Sequence, residues 1–464
     1  MTHSYYLDTP EDETLRRQSI AWLILALASL VIGGLFVILI VLSRTPGIQD
    51  IVPWVDFFKT ALVVHVDMTV LVWFLAFAAV LWSLNSNQAC KNCGWPPVIL
   101  AAIGMLGITV SPFLGAGNPL MSNYVPVLRT PIFFVSLGVF GLGVTLQILN
   151  GLFSSRSVGK YMHGSAAMRF GLLTSLVAAF FSVMSLGLSF SMLPADIEGQ
   201  RYYELLFWGG GHVLQFTHTQ LMMVVWLWLA SISGVMIQAS SRVILILFAL
   251  GIAPVLLTPL IYLAYPIESP YHINSFAWLM KYGGGLAVLP LGLIMLASFK
   301  GAGKPYEEFR AERSALFFSI LLFGTGGLIG FMIEGSDVRI PAHYHGTIVG
   351  VTIAFMGITY YLLPKLGFRK PVGKWALRQP AIYGSGQLIW VLAMAYTGGH
   401  GVQRKIAGAE QGLKTMSEHI AMGIMGIGGI IAISGGIIYL VVVFRAMLPV
   451  KQLPGDGSSA GTAV

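Results

Sequence analysis

Twelve long runs of apolar residues limit the fold of this chain more than any other feature of its sequence. Each run is long enough to cross about 30 Å of hydrocarbon as a helix. Because a spanning segment must satisfy its backbone polar groups within the lipid, the sequence predicts an all-α, polytopic membrane protein. The predicted helices 1 to 12 span 18–43, 58–84, 98–116, 131–153, 171–193, 203–230, 242–265, 276–298, 315–333, 341–364, 381–399 and 420–446.

The composition agrees with a lipid environment. Hydrophobic residues make up 56% of the 464 residues and charged residues only 10%, which leaves too little polar surface for a soluble protein of this length. The net charge of +8 is not concentrated on a soluble segment, so nucleic acid is not an expected partner. Without an internal repeat, the chain is predicted to form one transmembrane domain over 1–464, with short tails at 1–16 and 449–464.

The distribution of basic residues predicts the orientation. An even number of helices places both termini on the same side of the membrane. Eighteen of the 27 Lys and Arg residues lie on the tails and on the loops that follow the even-numbered helices. The positive-inside rule therefore makes both termini cytoplasmic. We expect a multi-pass protein of a bacterial inner membrane, surrounded by membrane lipid.

The two cysteines, Cys90 and Cys93, lie in the cytoplasmic loop between helices 2 and 3. A zinc site would need two further ligands, and a covalent haem would need a histidine directly after Cys93, where Gly94 stands. The pair is predicted to be incidental, with redox or metal chemistry as the alternative. Electrons are therefore expected to arrive from another protein or from quinol.

Histidines inside the predicted helices are the strongest functional signal. Ionisable residues are costly within a membrane and are functional candidates by default. A lone histidine in a helix bundle is more often a packing residue, but here several share one depth near the outer face. His218 lies deeper on helix 6. The outer group consists of His65, His212, His343 and His345, with His272 in the connection between helices 7 and 8.

The sequence His343-Tyr344-His345 stands at the outer start of helix 10. Two residues along a helix turn by about 200°, so these imidazoles cannot share a metal, but each can ligate a different haem. His65 is the candidate on helices 1 to 5 for the second axial ligand opposite His345. His343 would then hold a five-coordinate haem. The alternatives are a helix start with two interfacial histidines, and a packing role for His65.

His212 follows three glycines, Gly209 to Gly211, which allow a bulky group to approach the backbone. A non-haem metal facing the open haem would take His212 and His272, because neutral imidazoles suit copper or iron. Helix packing is the alternative explanation for the glycines. An ordinary interfacial loop is the alternative for His272.

Together these histidine motifs resemble subunit I of the haem-copper oxidase superfamily, over nearly the whole chain. The segment from Tyr360 to Lys365 is similar to high-affinity cytochrome c oxidases and nitric oxide reductases. The resemblance implies a low-spin haem on two histidines, a high-spin haem and a non-haem copper or iron, with b-type haems expected. Arg404 and Lys405 resemble the basic pair that holds haem propionates, although a solvated loop is the alternative. The resemblance implies that His65 and His345 ligate the low-spin haem and that His343 ligates the high-spin haem. His212 and His272 would ligate the non-haem metal.

The resemblance also implies partners. An electron-donating second subunit of the cupredoxin or cytochrome c type is expected, with soluble cytochrome c as a further donor. The substrate would be a small gas, either nitric oxide or dioxygen. The active site is expected near the periplasmic face.

Several positions depart from the family's pattern. Phe216 stands where many oxygen reductases carry a tyrosine one turn beyond the helix 6 histidine, and Tyr271 replaces the first of two adjacent histidines. Tyr271 could supply the missing phenol or only fill space. The third metal ligand stays open between His218, about 240° from His212 around helix 6, and Glu268, four residues before His272.

The positions of ionisable residues favour proton supply from outside. The cytoplasmic halves of predicted helices 6 to 10 contain no Asp, Glu, Lys or His, whereas Glu268, Glu334 and Asp337 lie at the outer edge. We therefore expect reduction of nitric oxide to nitrous oxide, with Glu268 or Glu334 as the gate for protons. The alternative is a cytochrome c oxidase that reduces dioxygen. A transporter without cofactors is disfavoured, because the histidines share one depth.

Overall fold

The computed structural model confirms the all-α membrane fold. It describes residues 4–8, 10–42, 57–87, 90–115, 117–333, 337–399 and 415–449. Within these ranges eleven helices are long and apolar enough to cross a membrane, and helix 11 completes the predicted twelve. Helices 1 to 12 span Glu13–Leu42, Phe58–Leu84, Trp95–Phe113, Pro131–Ser154, Gly164–Met192, Gly199–Ile232, Ser241–Ala264, Pro270–Lys300, Arg310–Phe331, Arg339–Lys365, Lys374–Gly399 and Met416–Met447.

Helix 8 begins six residues earlier than predicted, at Pro270. The Ser269 side chain accepts a hydrogen bond from the His272 backbone N–H (3.1 Å), and proline suits the first helical position. His272 therefore lies in the first turn of helix 8. Its predicted place in the loop between helices 7 and 8 was wrong, because the capping residues extend the helix.

Helix 9 also begins earlier than predicted, at Arg310. This places Glu312 in its first turn, where the residue is only 2% exposed. The prediction that the inner halves of helices 6 to 10 lack ionisable side chains is therefore wrong. The first turn of helix 9 is polar and therefore lies outside the apolar run from which the helix was predicted, although the protein buries Glu312 within that turn.

Helix 2 changes to π-helical geometry over Asp67–Val72, directly after His65. The Thr69 hydroxyl donates to the His65 carbonyl (2.7 Å) and so competes for an acceptor of the helical ladder. Such π segments are frequent at functional sites. Asp67, two residues after His65, is buried in this segment.

Helices 2, 6 and 10 are the most deeply buried of the apolar spans. Small residues bring neighbouring helices into close contact, as at Gly326 of helix 9 and Gly346 of helix 10. Between helices 3 and 4, the antiparallel strands Pro119–Leu120 and Val127–Leu128 form a short hairpin that presents Tyr124. The central helices and this hairpin surround the outer histidines.

The loop between helices 2 and 3 contains a disulfide between Cys90 and Cys93. The backbone turns there, with the Cys93 N–H donating to the Cys90 carbonyl, and this brings the two sulfur atoms together. The structure therefore joins the two cysteines by a bond, while the role of the pair, incidental or in redox or metal chemistry, stays a prediction.

Candidate functional site

The two histidines at the start of helix 10 face different neighbours. His343 Nδ1 lies 2.7 Å from the Gly326 carbonyl oxygen on helix 9. His345 Nδ1 lies 2.9 Å from the Pro341 carbonyl oxygen, and the His345 ring packs on Trp390 of helix 11 at 4.1 Å between centroids. Because Nδ1 donates to a carbonyl in each ring, Nε2 keeps the lone pair that a metal requires.

His65 has the same arrangement on helix 2. Its Nδ1 lies 2.9 Å from the Gly33 carbonyl oxygen of helix 1, so its Nε2 also keeps a lone pair. The His65 and His345 imidazoles lie close enough to interact electrostatically. Three imidazoles anchored through Nδ1 are a donor set that fits haem iron.

His212 and His272 meet around one aromatic ring. Both imidazoles contact Phe276, at centroid distances of 6.2 Å and 5.1 Å. The Trp208 carbonyl anchors His212 Nδ1 (2.7 Å), and the Trp208 indole donates to the Ile273 carbonyl (3.0 Å), which ties helix 6 to helix 8. His272 is 1% exposed, yet its Nδ1 has no hydrogen-bond partner. A buried imidazole nitrogen without a partner fits a metal ligand.

The structure does not bring a third ligand to this pair. Among the described residues, no three His, Cys, Asp or Glu side chains converge to hold a metal. His218 lies deeper in the bundle, where its ring contacts Phe74 of helix 2 at 4.9 Å. Glu268 is exposed, and Tyr271 is 69% exposed and stacks on Tyr265.

Other predicted outer-edge residues are engaged elsewhere or lie beyond the described ranges. Asp337 accepts hydrogen bonds from the Arg339 guanidinium, with Nη2 2.7 Å from Oδ2. These bonds hold the pKa of Asp337 below its usual range, so this carboxylate stays charged near neutral pH. Glu334, Arg404 and Lys405 lie outside the described residues.

Two tyrosines that sequence reasoning missed contact the candidate metal ligands. The Tyr262 ring lies 4.9 Å from His272, and its hydroxyl donates to the Ser185 carbonyl (3.0 Å). The Tyr124 ring lies 4.9 Å from His212, and Gln215 donates to its hydroxyl (3.1 Å). Although Phe216 stands where many oxygen reductases carry a tyrosine, Tyr124 and Tyr262 therefore place phenols beside the candidate metal ligands.

The three glycines before His212 are the sequence feature that could have indicated that bulky side chains lie against helix 6. A Cβ atom at Gly209 would meet the Tyr262 hydroxyl, and one at Gly211 would meet the Tyr124 ring. The bulky groups that approach the helix 6 backbone are thus aromatic side chains of the chain itself. Close packing of side chains, the alternative explanation offered by the sequence, therefore accounts for these glycines.

Glu204 is a carboxylate near this site, on the side of Tyr124. Glu204 Oε2 accepts hydrogen bonds from the Asn123 side-chain amide (2.9 Å) and backbone N–H (3.3 Å). Glu204 also interacts electrostatically with Tyr124, whose phenol pKa is raised by burial. An open cavity of about 420 Å³ leads from the surface to Trp208, beside His212, and is lined by Gln200, Arg201, Glu204, Leu205, Trp208 and Ile273.

The described helices, with imidazoles anchored through Nδ1 near one end of the bundle, define a multi-pass membrane protein with candidate metal ligands. Residues 17–431 match the family model described as cytochrome c and quinol oxidase polypeptide I. The chain therefore belongs to the haem-copper oxidase subunit I family and is an oxidoreductase. Membership implies haem cofactors, a copper or other metal centre, and work with other subunits and electron donors.

Similar chains occur in distant bacteria. An uncharacterized protein of Rickettsia prowazekii is 29% identical over 501 aligned positions, covering 93% of this chain and 96% of the relative. An uncharacterized protein of Aquifex aeolicus is 31% identical over 356 positions, covering 76% and 86%. A solved heme-copper terminal oxidase dimer has a similar fold, with a TM-score of 0.70, 14% identity, and coverage of 94% of this chain and 84% of that one.

Gly326 offers a test of how helix 9 positions His343. A Cβ atom there would lie 2.6 Å from Thr347 N and 2.8 Å from the His343 carbonyl oxygen. We expect Gly326→Ala to cost about 1–3 kcal/mol of stability by overpacking and to perturb the high-spin haem absorption. Gly324→Ala is the control, because a Cβ atom at Gly324 meets nothing within 4 Å. Equal thermal stability and equal haem spectra in both variants would contradict this prediction.

Proposed function

We propose that this chain reduces nitric oxide to nitrous oxide. Two NO molecules, two electrons and two protons give one N2O and one water. In this proposal His343 holds a high-spin haem, and His212 with His272 holds a copper or iron ion. His65 and His345 hold the low-spin haem that relays electrons. When bound, the haem and the metal supply electrons and a Lewis-acidic surface for the paired NO molecules.

One observation carries this proposal, namely that Tyr124 stands between Glu204 and His212: its ring lies 4.9 Å from the His212 ring, and Glu204, which Asn123 holds, acts on it electrostatically. Reduction of NO needs protons at the metal site, and an outer carboxylate next to a buried phenol can supply them without crossing the bundle. The Tyr124 phenol, which keeps its proton because burial raises its pKa, donates that proton towards the site. Glu204 then returns a proton to Tyr124 from outer water, while Asn123 holds the carboxylate in place.

Protein groups around the two histidines exclude water and fix their orientation. Phe276 fills the space beside both imidazoles, and the Trp208 carbonyl holds the His212 ring through Nδ1. The exposed Glu268 is not the proton gate in this proposal, because Glu204 is the carboxylate that reaches the site through Tyr124.

Dioxygen reduction is the second candidate, and Tyr262 favours it. Its buried phenol lies against His272 and is hydrogen-bonded to Ser185 and Ser189. A phenol in this position can deliver both a proton and an electron to a bound oxidant. Tyr262 takes the role that the sequence offered to Tyr271, whose side chain is largely exposed.

The proposal includes partners and location. Electrons would come from a second subunit of the cupredoxin or cytochrome c type, or from soluble cytochrome c, on the outer face. The membrane would be a bacterial inner membrane with both termini in the cytoplasm and the site near the periplasm. The basic inner loops support this orientation.

The test is turnover of the purified holoenzyme complex with NO and with O2, together with haem and metal analysis. We expect NO turnover to exceed O2 turnover, and Glu204→Gln to slow NO reduction about 100-fold while both haems remain. Glu198→Gln is the control, because Glu198 is an exposed carboxylate at the start of the same helix. Faster turnover with O2, or a Glu204→Gln rate equal to the Glu198→Gln rate, would overturn the proposal.

A further inference from the structure

The loop between helices 2 and 3 carries a disulfide that the proposed reaction does not use. It joins Cys90 and Cys93 across only two residues, Lys91 and Asn92, and all four residues are exposed. A disulfide stabilises a fold mainly by restricting the unfolded chain, and the gain is smaller for a shorter loop. Because this bond closes a very short loop, stabilisation alone does not account for it.

Other bonds hold this loop in place. The Cys93 N–H donates to the Cys90 carbonyl at 3.2 Å, which keeps the turn. The Gln18 side chain of helix 1 donates to the Lys91 carbonyl at 2.8 Å, and the Lys91 ammonium lies 3.3 Å from the Asp12 carboxylate. These bonds keep the loop against the start of helix 1 without the help of the two sulfur atoms. The disulfide can therefore open while the protein stays folded.

The surroundings of the two sulfur atoms favour thiol–disulfide exchange. Exchange needs a thiolate to reach one of the sulfur atoms, and the exposure of Cys90 and Cys93 provides that access. A basic neighbour and the start of a helix both stabilise the thiolate that leaves. Lys91 stands between the two cysteines, and helix 3 begins two residues after Cys93, at Trp95. The pair therefore combines the access and the leaving group that a labile disulfide needs.

The compartment points the same way. The proposed orientation places this loop in the cytoplasm, because the basic residues favour that side. Disulfides are rare there, and those that occur are usually transient, catalytic or redox-sensing, because cytoplasmic thiols keep cysteines reduced. The same thiols supply the reductant that an exposed disulfide would meet.

We propose that Cys90 and Cys93 form a reversible exchange site whose reaction partner is a dithiol. A thiolate of the partner attacks one sulfur atom, which forms a mixed disulfide and releases the other cysteine as a thiolate that takes up a proton. The second thiolate of the partner then breaks the mixed disulfide, and the second cysteine takes up a proton. Two electrons and two protons thus pass from the partner, which becomes a disulfide, to this chain. The reverse reaction restores the bond.

The experiment equilibrates the folded, purified complex with reduced and oxidised glutathione over a graded series of ratios. After an acid quench, alkylation and mass spectrometry measure the fraction of Cys90 and Cys93 that carries free thiols. We expect this fraction to rise from below about a tenth to above about nine tenths across the series, because a labile disulfide responds to the glutathione pool and a structural one resists it. Returning the complex to oxidised glutathione should restore the bond, and the haem absorption should stay constant throughout.

The double variant Cys90→Ser, Cys93→Ser is the control, because it removes the only two cysteines of the chain. It should take up no label and should keep the haem absorption and thermal stability of the wild type. The proposal is overturned if the wild-type pair stays oxidised at every ratio, if it stays reduced at every ratio, or if the double variant loses its haems.

This inference is independent of the proposed reaction, since the titration contains neither NO nor O2 and reads thiols rather than turnover. It uses the proposed orientation only to name the source of the dithiol. A membrane-impermeant alkylating reagent, applied to reduced complex in sealed vesicles of known sidedness, tests that orientation separately. Labelling from the cytoplasmic side is expected, and labelling from the opposite side would overturn a cytoplasmic dithiol as the partner.

Discussion

His345→Ala and His65→Ala are each expected to abolish the six-coordinate low-spin haem spectrum and to leave a five-coordinate haem signal. A six-coordinate haem needs two axial imidazoles. His345 and His65 interact across the gap between helices 10 and 2, and each presents Nε2 because its Nδ1 bonds a backbone carbonyl. His343 faces helix 9 instead, so its haem should persist. Absorption and magnetic circular dichroism spectra of the reduced complex measure both haems.

His419→Ala is the control for these two variants. His419 stands at the outer start of helix 12, is exposed, and bonds only the local Thr415 carbonyl among the described residues. It should leave both haem spectra unchanged. Retention of the low-spin signal in either His345→Ala or His65→Ala would refute the pairing, whereas loss of both haems in His345→Ala alone would place the two haems on one side of helix 10.

The second large effect is expected at His212 and His272, the candidate ligands of the non-haem metal. His212→Ala and His272→Ala should each lower the affinity for the non-haem metal more than about 100-fold and abolish turnover, while both haems remain. The reason is that the proposed site offers this metal two imidazoles, which both contact Phe276, and among the described residues no third His, Cys, Asp or Glu side chain joins them. Metal analysis of the purified complex, with haem absorption as the internal reference, measures the effect.

His218→Ala separates the two arrangements that the sequence leaves open on helix 6. The His218 ring faces Phe74 rather than His212, so this variant should keep its metal. Metal loss in His218→Ala together with retention in His272→Ala would reverse the assignment of the second ligand.

Much of the fold follows from the sequence because a segment that crosses lipid must be apolar and must satisfy its backbone hydrogen bonds as a helix. Apolar runs alone predict helix 2 at 58–84, where the structure has Phe58–Leu84. The opposite directions of His343 and His345 follow from helical geometry, and the structure directs them to helices 9 and 11. The family followed from the same histidine spacing, and the match over residues 17–431 confirms it.

The ends of helices were harder to predict because polar first turns do not stand out by hydropathy. His272 and Glu312 both lie in such turns, which a cap and tertiary burial decide. Helix 9 buries Glu312 beside Tyr360 of helix 10, and no local pattern shows that neighbour.

The sequence by itself determined the membrane-spanning helices and the family, because these depend on local hydrophobic runs, on the spacing of histidines and on the cost of polar groups in lipid. Only the tertiary structure decided which side chains surround those histidines. Tyr124 comes from a hairpin and Tyr262 from helix 7, and they meet His212 and His272 because glycines on helix 6 leave room for their rings. These contacts join residues that lie far apart in the sequence, so they depend on how separate helices pack against each other and not on any local sequence pattern.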